Sequence, residues 1–349
     1  MLDSFARPIN YLRISVTDRC NLRCVYCMPP DGVPQCAHDD ILRYEEIEIV
    51  VRAAAELGIH KVRLTGGEPL VRLRLTDLVR MLARIPGIDD LSMTTNGTLL
   101  AHYADALAAA GLKRVNVSLD TLKPERFTRI TRWGRLEDTL RGIAAAQRAG
   151  LTPIKINMVV MRGVNDDEIV DLARQSITNG WHVRFIEWMP VGASRGSVPP
   201  VLPDHTASAS SNVFQNSIQA GWPDQVVTAA EICARIEAAL GPLEPAQTEN
   251  GAGPARYYRL PGATGTVGLI TPISEHFCSN CNRLRLTADG QLRPCLLSDF
   301  EIDLRTPLRQ GAGVAKVRAL LERAIGNKPE RHHLGDSKVE KRVMSQIGG

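Results

Sequence analysis

Cys20, Cys24 and Cys27 stand close together near the start of the chain, with three and then two residues between them. Thiolates are soft ligands, and three at this spacing suit a metal. They are one short of the four that close a tetrahedral zinc site or an ordinary four-iron cluster. A four-iron cluster held by three cysteines leaves one iron open to a further ligand, and an open iron can do chemistry. The competing reading, zinc with a distant fourth ligand, fits poorly because the spacing matches none of the usual zinc patterns. A second triad lies far along the chain, where Cys278 and Cys281 form a C-x2-C pair and Cys295 follows. By itself this set also admits a zinc ribbon completed by His276. Beside the first triad, a second three-cysteine cluster is the better reading. Of the other cysteines, Cys233 falls on an apolar helical face and reads as a small core residue. Cys36 falls in a loop and reads as a spare thiol.

The elements that must position these residues alternate in type up to about residue 189. Short β-rich runs occur at 11–16, 61–64, 91–94, 115–119, 154–160 and 183–188. Amphipathic stretches at 45–57, 99–110, 136–149 and 166–178 lie between them, several ending at a glycine such as Gly58, Gly111, Gly150 or Gly180, the usual residue just past a helix. Six βα units predict a parallel sheet wrapped by helices. Eight would close a full TIM barrel, so six predict a partial (β/α)6 TIM-like barrel. A flat doubly wound sheet is the alternative.

The strands also have faces. Leu12, Ile14 and Val16 alternate with Arg13 and Ser15; Val62 and Leu64 with Lys61 and Arg63; Val115, Val117 and Leu119 with Asn116 and Ser118; Ile156 and Met158 with Lys155 and Asn157. Strand side chains have a period of two, so helices cover the apolar face and the polar face points into the lumen. A lumen carrying Arg13, Arg63 and Lys155 is a chamber for an anion such as phosphate or pyrophosphate. The alternative is internal pairing with Glu68, Asp120 or Glu187. In such folds function gathers at the carboxyl ends of the strands. The first triad follows the first strand. The turn Gly66-Gly67-Glu68-Pro69 follows the second, where two glycines permit close backbone approach and Glu68 is placed to hold an ammonium or hydroxyl. The turn Thr94-Thr95-Asn96-Gly97 follows the third, but Asn-Gly is common in turns without function.

The bulk numbers bound the rest. The chain has 349 residues, 44% of them hydrophobic, enough for one large domain and a smaller one. A net charge of +4, from 42 basic and 38 acidic side chains, argues against nucleic-acid and membrane partners. The N-terminal segment lacks the pattern of an export signal, and no apolar run reaches the length of a membrane span. Cysteines without export point to metal binding in the cytoplasm rather than to disulfides. The expected divisions are a barrel at 1–190, a long Ser- and Pro-rich loop at 191–225, and a smaller C-terminal domain at 226–349. That last part has a helix at 229–240, strands at 256–260 and 266–270, the second triad, a helix at 314–325 and a polar tail.

The run Cys20-Asn21-Leu22-Arg23-Cys24-Val25-Tyr26-Cys27 resembles the cysteine signature of radical S-adenosylmethionine (SAM) enzymes, and Gly66–Pro69 resembles their SAM-amine motif. With the second triad, its flanking Asn282-Arg283-Leu284-Arg285 and the terminal Gly-Gly, nearly the whole chain resembles the GTP 3′,8-cyclase family of molybdenum cofactor biosynthesis. The resemblance implies two [4Fe–4S] clusters. Cys20, Cys24 and Cys27 would hold the SAM-cleaving cluster. Cys278, Cys281 and Cys295 would hold an auxiliary cluster in the C-terminal domain, its open iron facing guanine. Tyr26, Gly67, Ser118 and Met189 match SAM-contact positions. Arg13, Arg63, Thr94, Lys155, Arg283 and Arg285 match GTP-contact positions. Arg13, Gly348 and Gly349 match positions that act in catalysis, the two glycines as a tail that reaches the active site. The implied reaction takes a hydrogen from the ribose 3′ carbon, joins that carbon to guanine C8, and reduces the cyclised product. The implied partners are GTP, an external electron donor and the next enzyme of the pathway, with a homodimer left open. One departure is the loop after Met189-Pro190, longer than the family pattern by about the length of residues 193–219. Two rivals stand beside this reading. Radical SAM enzymes that modify peptides or cofactors often carry more late cysteines, and this chain has none after Cys295. A zinc-stabilised nucleotide-binding protein would contain zinc and no iron–sulfur chromophore.

Overall fold

The computed structural model describes residues 1–189, 226–247, 253–332 and 342–348. Strands β1 (Tyr11–Ser15), β2 (Lys61–Thr65), β3 (Asp90–Thr95), β4 (Arg114–Ser118), β5 (Lys155–Val160) and β6 (His182–Glu187) lie side by side in chain order. Every neighbouring pair among them is parallel. These are the six strands the alternation predicts, differing at their ends by a residue or two. Leu12, Ile14, Val62, Leu64, Val115, Val117, Ile156 and Met158 are fully buried in the main core. The covering helices are α1 (Tyr44–Glu56), α2 (Leu75–Ala83), α3 (Leu100–Ala109), α4 (Pro124–Thr131), α5 (Leu136–Arg148) and α6 (Ile169–Thr178). The sequence does not announce α2 and α4. The first is short and starts after a left-handed Arg74 with no side-chain cap. The second buries only Phe127, Ile130 and Thr131, too few positions to show a helical period.

The later part of the chain extends this sheet at both ends. It contributes α7 (Ala229–Leu240), β7 (Glu244–Pro245), β8 (Arg256–Arg259), β9 (Thr266–Ile270), β10 (Arg283–Leu286), β11 (Gln291–Arg293), β12 (Ile302–Asp303), α8 (Arg305–Arg309), α9 (Val314–Gly326) and α10 (Met344–Ile347). Strand β9 pairs parallel with β6, while β10 pairs parallel with β1. The outer strands β7, β8, β11 and β12 are antiparallel. The outcome is an open mixed sheet of 12 strands, in which the partial barrel gains one parallel strand on each side. This places the second triad, on the turn before β10 and just after β11, next to the strand that leads into the first. The expected loop at 191–225 lies outside the described residues. No helix among the described residues is long and apolar enough to cross a membrane.

Candidate active site

The first triad sits on the loop leaving β1, and that loop is tied down along its length. The N–H of Arg23 donates to Thr131 O at 3.0 Å and that of Val25 to Ile130 O at 2.9 Å. Val25 and Tyr26 pack on a small apolar cluster of Ile130, Met161, Val164 and Trp188. The Tyr26 hydroxyl donates to Asp120 Oδ2 at 2.8 Å. Within the loop the Cys27 N–H donates to Cys24 O at 2.9 Å, and Arg23 Nη1 to Cys20 O at 2.7 Å. Burial pushes the thiols up, Cys20 to about 11 and Cys27 to about 12, with Cys24 also well above its ordinary value. Such sulfurs ionise readily only against a metal.

The turn after β2 approaches this loop as closely as backbone can. The N–H groups of Gly67 and Glu68 donate to Thr17 O and Arg19 O, both at 2.8 Å. A Cβ on Gly67 would lie 2.3 Å from Arg19 O. Gly67→Ala is therefore expected to displace the loop before Cys20 and to lower the iron retained by the first triad. Iron-to-protein ratios after anaerobic reconstitution check this. Glu68, read from the sequence as placed to hold an ammonium or hydroxyl, lines the cavity and holds a hydroxyl within the chain. Its carboxylate accepts from Leu70 N at 3.1 Å, Thr95 Oγ1 at 2.7 Å and Asn96 N at 2.7 Å, and burial pushes it up to about 7. It braces the turn after β3. Asn96 Nδ2 in turn donates to Asn21 Oδ1 at 2.9 Å, so the Asn-Gly turn supports the cysteine loop.

Below the loops, the polar faces of the strands line the lumen as the alternation predicts. Arg285, Arg13 and Arg63 are register neighbours across β10, β1 and β2, while Thr94, Asn116 and Lys155 are neighbours across β3, β4 and β5. Arg114 and Arg184, which the alternation does not single out, also line the cavity. Arg114 is held by Asp90. The Asn116 amide, with its oxygen turned to the guanidiniums, accepts from Arg184 at 3.0 Å and from Arg63. The suggested carboxylate partners are engaged elsewhere. Asp120 takes Tyr26 OH and Val159 N, and Glu187 takes Ile273 N, Ser274 N and Ser274 Oγ. Burial and neighbouring cations push Arg13 well below its ordinary value and Arg285 to about 10. Burial, with Arg184 and Arg114 nearby, lowers Arg63 to about 10 and Lys155 to about 6. Tyr11 OH, Thr94 Oγ1 and Arg184 Nε are buried without a hydrogen-bond partner among the described residues. Crowded buried cations beside unsatisfied donors suit an anion with many oxygens.

Cys278 and Cys281 flank one turn, the Cys281 N–H donating to Cys278 O at 3.1 Å. Burial raises the Cys281 thiol, but the Arg283 guanidinium and the Lys328 ammonium outweigh it and bring Cys281 down to about 6. Lys328, another residue the sequence does not single out, donates to Arg283 O at 2.9 Å and Pro294 O at 2.6 Å. It thereby ties together the two arms that carry this triad. His276 Nδ1 lies 3.1 Å from Pro272 O and 3.0 Å from His332 Nε2. Among the described residues no three His, Cys, Asp or Glu side chains close on a single metal ion.

Gly348 O accepts from Arg285 Nη1 at 2.9 Å, and a Cβ there would lie 2.8 Å from Thr65 Oγ1, at φ +75°. Gly349 lies outside the described residues. A single cavity is lined by all six triad cysteines, by Tyr26, Gly67, Ser118 and Met189, and by Arg13, Arg63, Thr94, Lys155, Arg283 and Arg285. Cys36 and Cys233 are away from these groups: the Cys36 N–H donates to Asp18 Oδ2 at 2.6 Å, and Cys233 packs against the main core.

The model for the radical SAM superfamily matches residues 14–175, and the model for Molybdenum Cofactor Synthesis C matches residues 214–334. Relatives named GTP 3′,8-cyclase from Pelotomaculum thermopropionicum and Moorella thermoacetica are 55% and 52% identical, aligned over 100% of this chain and 100% of theirs. The chain belongs to the GTP 3′,8-cyclase family. A crystal structure of Streptococcus suis SuiB bound to S-adenosylmethionine covers 95% of this chain and 77% of its own, with a TM-score of 0.54 and 14% identity. That likeness supports the radical SAM fold. Membership in the superfamily brings a [4Fe–4S] cluster and SAM. The site fits such a cluster: three soft donors share a buried loop that raises every thiol, and all eight cysteines are free of disulfides. Three thiolates leave the fourth corner of an iron–sulfur cube for a small ligand.

Proposed function

We propose that the chain converts GTP to (8S)-3′,8-cyclo-7,8-dihydroguanosine 5′-triphosphate, the first step of molybdenum cofactor biosynthesis. The observation that carries this reading is one cavity that joins two cysteine triads to a buried bank of cations. Full-length relatives named GTP 3′,8-cyclase support it.

In this reading Cys20, Cys24 and Cys27 hold the cluster that meets SAM, with Tyr26, Gly67, Ser118 and Met189 around the SAM. Given an electron from an external donor, that cluster and SAM supply a 5′-deoxyadenosyl radical. Cys278, Cys281 and Cys295 hold a second [4Fe–4S] cluster at the guanine. Arg13, Arg63, Thr94, Lys155, Arg283 and Arg285 clamp the nucleotide. The chain's own work is positioning and the exclusion of water. The buried guanidiniums fix the triphosphate, so the ribose is held between the two triads. The product leaves for the next enzyme of the pathway.

Gly348 and Gly349 join Arg13 as the residues next to the reacting groups. Gly348→Ala is expected to lower kcat by about tenfold or more, because its Cβ must push Thr65 or Ser15 out of place. Deleting both glycines is expected to do the same while iron content stays unchanged. Unchanged turnover in the truncated chain would remove the tail from the mechanism. The nucleotide assignment is tested by equilibrium dialysis of the anaerobically reconstituted chain against GTP and ATP. Retention of GTP alone, weakened by Arg285→Ala, is expected; equal retention of both nucleotides would contradict the role of the second triad at guanine.

A further inference from the structure

The last described residues enter the cavity through a contact that lies outside it. Arg342 Nε and Nη2 donate to the two oxygens of Glu301 at 2.7 and 3.1 Å, and Nη1 and Nη2 donate to the two oxygens of Asp289 at 3.2 and 2.8 Å. Both carboxylates are mostly buried, with side chains 20% and 23% exposed. Three residues on, Ser345 lines the cavity, and six residues on, Gly348 meets Arg285. The helix between them, α10, has four residues, far too few to hold a position alone. Two bidentate, charge-assisted contacts are by contrast a strong and directional hold.

Glu301 is shared. Its Oε1 also accepts from Arg293 Nη1, and Arg293, only 1% exposed, donates onward to the carbonyls of Leu296 and Ser298. Those carbonyls belong to the loop that follows Cys295. One carboxylate therefore stands between the arm that carries the second triad and the segment that ends at the glycines.

We propose that Arg342 is the positioning residue that seats the C-terminal segment in the cavity, and that Glu301 ties this seating to the loop after Cys295. A chain whose second triad is disordered then leaves its tail unseated, so the glycines reach the reacting groups only when the second site is built. The proposal deepens the cyclase reading and rests on it for its catalytic consequence, but the coupling itself is a property of the fold.

Hydrogen exchange on the full-length, reconstituted chain tests it. In Arg342→Ala, exchange of the 343–348 amides is expected to quicken by about tenfold or more, the loss of a local opening barrier, with the unfolding midpoint of the chain little changed. Arg342→Lys should lie between, because an ammonium cannot span both carboxylates in forks. Arg342→Asp combined with Asp289→Arg should recover part of the protection. Glu301→Gln and Cys295→Ser should each quicken exchange at 343–348 as well as at 296–300. In turnover, Arg342→Ala should lower kcat while GTP affinity measured by dialysis stays within about twofold, since the guanidiniums that hold the phosphates remain. Unchanged exchange at 343–348 in Arg342→Ala would overturn the seating role. Unchanged exchange there in both Glu301→Gln and Cys295→Ser would overturn the tie. Exchange needs neither GTP nor turnover, so these failures are distinct from a failure of the cyclase reading.

Discussion

Cys24→Ser is expected to remove the iron held by the first triad and to lower turnover by about 1,000-fold or more, because the open-iron cluster supplies the radical step. Cys24 is the middle of three sulfurs, on a loop whose backbone is fixed on either side of it by Thr131 O and Ile130 O. A serine hydroxyl in the same place is a harder ligand with a far higher pKa, poorly matched to iron–sulfur chemistry. The comparison variants Cys36→Ser and Cys233→Ser should keep full iron content, as neither thiol lines the cavity. Iron and sulfide analysis with low-temperature electron paramagnetic resonance distinguishes the cases. Full iron retention by Cys24→Ser would contradict the assignment of the first triad.

Below about pH 6, Lys155→Met is expected to weaken GTP binding by about 10- to 100-fold, the loss of one charge-assisted contact worth about 1.5–3 kcal/mol, with a smaller loss at pH 7.5. The side chain is buried within β5, over the face of Tyr257 at 5.8 Å. Methionine fills similar space, so the effect reports charge rather than packing. Burial first, then Arg184, Arg114 and Arg63, lower Lys155 to about 6, so near pH 7.5 most of the free chain carries it neutral. A bound triphosphate favours the ammonium and raises its pKa. Binding near pH 7.5 should then take up about one proton in the wild type, since proton linkage follows the difference in protonation between states. The uptake should shrink below pH 6, where Lys155 is already charged. The guanidiniums do not contribute, because arginine stays protonated throughout. Titration calorimetry in buffers of different ionisation heat measures the uptake. The wild type minus Lys155→Met difference isolates this residue from the nucleotide's own titration. A difference of zero would contradict the electrostatic account of the lumen.

Much of this was legible in the sequence because it rests on short-range patterns. The period-two alternation gave the strands and also the side on which Arg13, Arg63 and Lys155 lie. The cysteine spacings marked both triads, and Arg283 with Arg285 shares a face of β10 because residues two apart on a strand must. What stayed hidden depends on pairing over long distances. No local pattern shows that β10 lies against β1 or β9 against β6, so the C-terminal part reads as an appendage until the sheet is seen. Arg184, Lys328 and Arg342 look like ordinary basic residues in sequence. Their partners, Asn116, Pro294 O and Asp289 with Glu301, are all more than 30 positions away. Glu68 lines the cavity as its place beside two glycines suggests, but two of its three hydrogen bonds go to Thr95 and Asn96 on the turn after β3, partners no local pattern shows.

The most direct test of the central claim is a single-turnover assay on the anaerobically reconstituted chain, given SAM and a strong reductant, with and without GTP. The account predicts 5′-deoxyadenosine and a 3′,8-cyclised product of GTP, both dependent on GTP and formed in step. Deoxyadenosine that forms without GTP, with the nucleotide recovered intact, would contradict the substrate. Iron-loaded protein that forms no deoxyadenosine at all would contradict the radical chemistry.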